Sequence, residues 1–452
     1  VPGQTRKQVT LASPRPSIPG AEWFTGAGLG LFIHWDHASQ LGVEISWPQV
    51  GHGGHPELVG PAYNRSAASF RPWAWDAVEL AALAVDSGFT YAVLTTRHHA
   101  GYAMFHTEHS ALGLRTSGFD RDVTREYVDA FRAAGLRVGL YYSLADWSHP
   151  DYPAVEATDL PYPREHWPYA GHPGAAGTPW AEERHRRSSP ESWARFLDYV
   201  RRQLTHLLTD YGPIDLLWFD GQWERSAEEW RSADLRRMIK NLQPHVLIND
   251  RLPGAGDYET PEQGFPTDVP EGPWELCLTM GEQWSWRPDD TYKSARSIVT
   301  TLIEVVARGG NLLLNIGPRG DGSIDPAQRR LVEDVGRWMR RHRESVIGVS
   351  PAVGVDFPGP TTARDDTVYL HLQWRPVEDI VVRGLPVRRI RSVTLLATGE
   401  KLPHTIRRDT HAEVRDLLSP HEPRGEIVIA APEPSGALVD VVAITFTSDG
   451  EG

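Results

Sequence analysis

Cysteine is almost missing from this chain of 452 residues: Cys277 is the only one. That excludes an intramolecular disulfide framework and any zinc site built on several cysteines. Long apolar runs are missing too. None approaches the ~18 residues of a membrane span, so no membrane partner is expected. Excess positive charge is absent, the formal net charge being −13. This is the wrong sign for a nucleic-acid partner, whose binding is driven largely by phosphate neutralisation. The short basic run RHRR at 184–187 is interrupted by acids and reads as a solvated face. No Gly-x-Gly-x-x-Gly follows the first expected strand, which weakens a dinucleotide-binding reading. The opening VPGQTRKQVT carries neither a Met nor the apolar core of a signal peptide. With one cysteine this leans towards the cytoplasm, and a secreted or periplasmic protein freed of its leader is the alternative.

What is present is a repeated pattern from about 25 to 345. GLGLFIHWD (28–36), YAVLTT (91–96), RVGLYYSL (137–144), IDLLWFDG (214–221), HVLIND (245–250), ELCLTM (275–280) and NLLLNIG (311–317) read as buried strands. Between them lie amphipathic helices near 74–87, 122–134 and 190–210, closed by Gly88, Gly135 and Gly212. Helix, glycine and buried strand in repetition mean parallel strands joined by crossover helices. Polar and aromatic residues end nearly every strand: His34, His98, His99, Tyr142, Asp220, Asn249 and Arg251. In a TIM-type (β/α) barrel those ends converge on one mouth, so the barrel is preferred to an open sheet. After about 348 the texture becomes all-β, in TVYLHLQW, IRSVTLLAT, EIVIAA and VDVVAITFT, and predicts a C-terminal sandwich over 349–452. The catalytic barrel then covers 1–348, with a Pro/His/Gly-rich insertion at about 148–189 placed to wall the mouth.

Asp220 ends an apolar run between Trp218 and Trp223. An Asp-Gly pair commonly opens a turn, and a carboxylate at a barrel mouth can equally bind a metal, act as a base or be a nucleophile. Retaining sugar hydrolysis needs a second carboxyl on another loop of the same mouth. Asp257, Glu259 and Glu262 are available in INDRLPGAGDYETPEQGFP. Arg251 on that loop steadies Asp220, holds a hydroxyl or makes a surface salt bridge. His98 and His99, with His34 or His37, would supply metal ligands. Neighbours on an extended strand face opposite ways, however, so both rarely bind one ion. Seventeen tryptophans add a hint of sugar stacking.

FIHWD, LTTRHHAGYAMF, VGLYYSLADW, WFDGQWE, VLINDR, TPEQ and GGNLLLNIGPRGDGSI together resemble, in order, blocks of the family 29 glycoside hydrolases, the α-L-fucosidases. The resemblance runs from about 23 to beyond 324 and implies a barrel followed by a β-sandwich. It implies exo-acting, retaining hydrolysis of terminal α-L-fucosides on oligosaccharides or glycoconjugates, with no cofactor and no metal; a homo-oligomer is possible, the sequence leaving the number of subunits open. By that resemblance Asp220 matches the nucleophile and Glu262 the acid/base, with Glu259 in reserve. His34, His98 and His99 match contacts to sugar hydroxyls, and Trp47, Tyr142, Trp218, Arg251 and Trp284 match the pocket lining. Asp36 stands where the family usually has glycine. It either selects another α-L-glycoside, a galactoside or glucoside, or holds a backbone amide behind the pocket. A carbohydrate-binding barrel without catalysis and a metal-dependent hydrolase are the remaining readings.

Overall fold

A computed structural model describes residues 11–13, 16–51, 54–153, 183, 187, 189–407 and 424–447. Most of the expected 148–189 insertion therefore lies outside the described residues. Seven parallel strands form one curled sheet: β1 (Leu29–Ile33), β2 (Tyr91–Arg97), β3 (Arg137–Ser143), β4 (Leu216–Asp220), β5 (Leu247–Ile248), β6 (Glu275–Thr279) and β7 (Asn311–Ile316). Their order is β5-β4-β3-β2-β1-β7-β6, which leaves β5 and β6 at the two edges. An irregular stretch, 257–263, bridges those edges. It pairs Asn249 with Tyr258 on one side, and Glu259 with Trp274 and Glu262 with Cys277 on the other. Backbone bonds from Asp257 N to Ile248 O, Asp250 N to Tyr258 O, Glu275 N to Glu259 O and Cys277 N to Pro261 O close the wall. The seven expected strands are thus all present, and the eighth stave carries almost no strand signal in sequence.

The crossover helices begin where the sequence supplies caps. In α1 (Ala77–Asp86), Asp76 accepts from Glu79 N, and in α2 (Val123–Ala133), Asp122 accepts from Arg125 N. Ser189 and Ser192 form a reciprocal cap ahead of α3 (Pro190–Asp210), with Pro190 at the first helical position. Helices α4 (Ser232–Leu242), α5 (Ala295–Ala307) and α6 (Pro326–His342) complete the ring. Strand alternation then sorts the side chains. Leu31, Leu94, Leu140, Tyr142, Leu217, Phe219, Leu276 and Leu314 face the helices. Phe32, Tyr91, Val93, Tyr141, Trp218, Cys277 and Leu313 fill the barrel, with Phe24 sealing its floor. At Gly30 interior packing requires glycine, because a Cβ there would collide with the Tyr91 ring.

Two antiparallel sheets follow. The larger has β8 (Ser350–Pro351), β9 (Thr361–Arg364), β10 (Thr367–Leu372), β12 (Ile390–Leu395), β13 (Glu400–Lys401) and β16 (Asp440–Phe446). The smaller has β11 (Ile380–Leu385), β14 (His404–Arg407) and β15 (Gly425–Ile429). Val368, Leu370 and Ile444 from one sheet meet Val382, Leu385 and Ile427 from the other in one core, which is the expected sandwich. Leu11 joins that same core, and Ser13 N donates to Pro351 O. The first described residues therefore pack with the β-module, not with the barrel.

Candidate active site

Asp220 is the last residue of β4. Its neighbour Phe219 faces the helices, so Asp220 faces the barrel axis, where its side chain keeps 10% exposure. Tyr141 donates to Asp220 Oδ2 at 2.8 Å, and Arg251 Nη1 donates to Oδ1 at 2.9 Å. The same guanidinium donates through Nη2 to Glu262 Oε2 at 2.7 Å. One arginine thus spans both carboxylates, while its own face lies over Trp218 at 4.5 Å. The two ends of this bridge differ in strength. The Glu262 side chain is 36% exposed, so that pair contributes roughly 0–1 kcal/mol, whereas breaking a buried pair such as Asp220 with Arg251 costs about 3–5 kcal/mol. Glu262 is the end that can move.

Three histidines line the mouth beside Asp220, His99 Nε2 lying 3.8 Å from its Oδ2. Asn315 Nδ2 donates to Trp284 O, so its Oδ1 accepts from His34 Nδ1 at 2.7 Å. Ser143 donates to Ala145 O and accepts from His99 Nδ1 at 2.7 Å. By this assignment both rings direct an unprotonated Nε2 away from those anchors. Ser46 Oγ accepts from Ala100 N, which directs its hydroxyl hydrogen to His98 Nδ1 at 2.8 Å and leaves Nε2–H as a donor. Burial pushes His34 down to about 3 and His98 and His99 well below the ordinary histidine value, so all three are neutral at pH 7. Two acceptors and one donor, all uncharged, suit sugar hydroxyls. Trp284 packs on His34 at 4.7 Å, and Trp47 meets His99 edge-on at 5.8 Å and lies parallel to Trp223 at 6.2 Å.

His98, His99 and Asp220 also bring ligand atoms within 4.8 Å of one another. The expected alternation does not separate the two histidines because β2 ends at Arg97, before either of them. These three residues could hold a metal ion. Against this, Arg251 already occupies Asp220 Oδ1, and a cation at that point would be repelled by the guanidinium.

Two expected pocket residues are directed elsewhere. Tyr142 faces the helices, donates to Gln203 Oε1 at 2.9 Å and lies under Arg97 at 4.2 Å. The pocket tyrosine is Tyr141. Register explains the correction: β3 pairs in parallel with β4, Tyr141 opposite Trp218 and Tyr142 opposite Phe219, so Tyr141 shares the inward face with Trp218. Tyr141→Phe should lower kcat/KM roughly ten- to a hundredfold by removing a bond to a charged group. Tyr142→Phe should leave kcat/KM within about twofold and lower the unfolding free energy by about 1 kcal/mol, read by denaturant titration. Asp36 is the second correction. Its Oδ1 accepts from Ala38 N at 2.7 Å, burial pushes its carboxyl up to about 7, and Tyr63 and Tyr102 feel its charge. Among the described residues it makes no hydrogen bond or ion pair with a pocket residue, and its bond to the Ala38 amide matches the second of its two expected roles.

Of the acid/base candidates, Asp257 is tied to Arg236 and Lys240 at 2.5 and 3.0 Å and accepts from Ile248 N. Glu259 is exposed, and no side-chain bond joins it to Asp220 or Arg251. Glu262 alone reaches Arg251. Sequence reasoning missed Ser46, Ser143 and Asn315, which orient the histidines, and Glu275, which accepts from Trp218 Nε1 at 2.9 Å and from the Tyr91 hydroxyl beneath the pocket. Only Asn315 had a signal, as the polar break in LLLNIG.

The chain is similar to proteins of known identity over most of its length. The family model described as alpha-L-fucosidase matches residues 4–344. Mouse tissue alpha-L-fucosidase is 28% identical over 404 residues, which is 81% of this chain and 80% of that protein. The solved α-L-fucosidase isoenzyme 1 from Paenibacillus thiaminolyticus superposes with a TM-score of 0.79 at 31% identity, covering 95% of this chain and 99% of that one. A fold likeness at 24% identity and TM-score 0.77, over 98% of this chain and 100% of the other, is to a family 29 α-L-fucosidase from Bacteroides thetaiotaomicron solved as a trapped covalent intermediate with 2-fluoro-fucosyl fluoride. The chain belongs to the α-L-fucosidase family, glycoside hydrolase family 29.

Proposed function

We propose that the protein removes terminal α-L-fucose with retention of configuration, Asp220 acting as nucleophile and Glu262 as acid/base. The observation that carries this reading is the bridge from Arg251 to both carboxylates, 2.9 Å to Asp220 and 2.7 Å to Glu262, at one barrel mouth. Asp220 attacks the anomeric carbon as the glycosidic C–O bond breaks, and Glu262 gives its proton to the leaving oxygen. The ester on Asp220 is then displaced by water, whose proton returns to Glu262. Arg251 and Tyr141 hold Asp220 as an aimed carboxylate. His34, His98 and His99 receive the hydroxyls of a single sugar, which fits exo action on a fucosylated oligosaccharide or glycoconjugate. No observation favours the reading as a non-catalytic barrel, since both carboxylates stand in the site.

Initial rates on matched nitrophenyl α-L-fucoside, α-L-galactoside and α-L-glucoside test the reading. Dominant fucoside turnover is expected, and Asp36→Asn is expected to leave the order of the three unchanged. A preference for either other sugar would replace the proposed glycone.

A further inference from the structure

A second recess opens at the C-terminal end of β6, lined on one side by Gln263, the residue that follows Glu262. It holds about 600 Å³ and is lined by Gln263, Thr279, Gly281, Glu282, Thr291, Tyr292 and Lys293. Its position follows from the chain. Gln263 succeeds Glu262, takes a left-handed backbone with φ 60°, and accepts from Thr279 Oγ1 at 3.2 Å. Thr279 ends β6 on the inward face it shares with Glu275 and Cys277. Lys293 N donates to Met280 O, so the 280–293 loop closes on itself. One part of that loop sets Trp284 against His34 in the glycone pocket, and its two ends line the recess.

We propose that this recess receives the neutral sugar that departs as leaving group, with Lys293 as its specificity-determining donor. The proposal rests on Glu262 being the acid/base, because the leaving oxygen must sit against that residue and the rest of the aglycone beyond it. Lys293 Nζ donates to Gly281 O at 2.9 Å and to Thr279 Oγ1 at 3.3 Å. An ammonium has three donors, so one is left for the recess. Lys293 makes no ion pair among the described residues, while the Tyr292 ring, half-buried, offers an apolar face. Neutrality of the ligand follows from charge. Glu282 lines the recess, and Asp290, held close against Gly281, accepts from Glu282 N at 2.8 Å. An acidic sugar would meet two carboxylates there.

The test compares kcat/KM on a neutral fucosyl disaccharide with kcat/KM on nitrophenyl α-L-fucoside, in the wild type, in Lys293→Met and in Thr291→Trp. Thr291 is exposed, so the tryptophan fills the recess from the rim without a demand on folding. In both variants the ratio of disaccharide to nitrophenyl specificity should fall about tenfold or more, in Lys293→Met as the worth of one lost hydrogen bond of about 1.4 kcal/mol and in Thr291→Trp by steric exclusion. An active enzyme whose ratio stays unchanged in Thr291→Trp overturns the subsite alone. A wild type inactive on both substrates overturns the fucosidase reading and the subsite with it.

Discussion

Asp220→Ala should fold and lose turnover of nitrophenyl α-L-fucoside by at least about 10⁴-fold, the scale on which removal of a covalent nucleophile acts. The loss belongs in kcat, because the histidine wall and Trp284, proposed to receive the glycone, are untouched. Folding is retained for a local reason. Alanine removes the acceptor of Tyr141 and one acceptor of Arg251, but Arg251 keeps Glu262 at 2.7 Å and Thr260 Oγ1 at 3.2 Å, so the cost stays below the about 3–5 kcal/mol of a fully stranded buried charge. Kinetics, circular dichroism and thermal melting on one preparation make the check. A folded Asp220→Ala enzyme with near-normal kcat would remove Asp220 from the chemistry.

Glu262→Ala should cost ~10²–10⁴-fold, with a dependence on the leaving group that the Asp220 variant lacks. A nitrophenolate leaves without a proton, so the first step on nitrophenyl α-L-fucoside suffers least and the glycosyl-enzyme accumulates. A sugar leaving group needs the proton and should suffer most. Azide fills the space of the lost carboxylate and attacks the intermediate without a general base, so added azide should restore part of the rate and yield fucosyl azide. The same rescue in Glu259→Ala, and none in Glu262→Ala, would move the role to Glu259. The geometry argues otherwise, since Glu259 has no bond to Arg251 and Glu262 does.

Much of the barrel was legible in the chain. Seven apolar runs separated by capped, amphipathic helices state a parallel α/β layout, and the caps at Asp76, Asp122 and Ser189 lie where the sequence has them. The closing stave was not legible, because 257–263 makes isolated bridges around a proline and has neither the period nor the length of a strand. Asp220 was legible as a site candidate because the apolar run LLWF places it at the C-terminal end of a buried strand, where a barrel has its mouth. Tyr142 was misread. Both tyrosines of GLYYS are apolar and aromatic, and composition cannot say which of two neighbours faces inward. A one-residue change of register exchanges the faces of a strand.

The sequence by itself determined the class of fold and the family, and offered the candidate carboxylates, because buried periodicity and short motifs are local properties of the chain. The tertiary structure alone decided which side chains meet. It turned Tyr141 towards Asp220 and Asp36 away from the pocket, and set the protonation pattern of His34 and His99 through Asn315 and Ser143, residues 281 and 44 positions distant. It also brought Arg251 between two carboxylates carried on different staves. These are non-local contacts, fixed by strand register and barrel closure, and no window of the chain contains both partners.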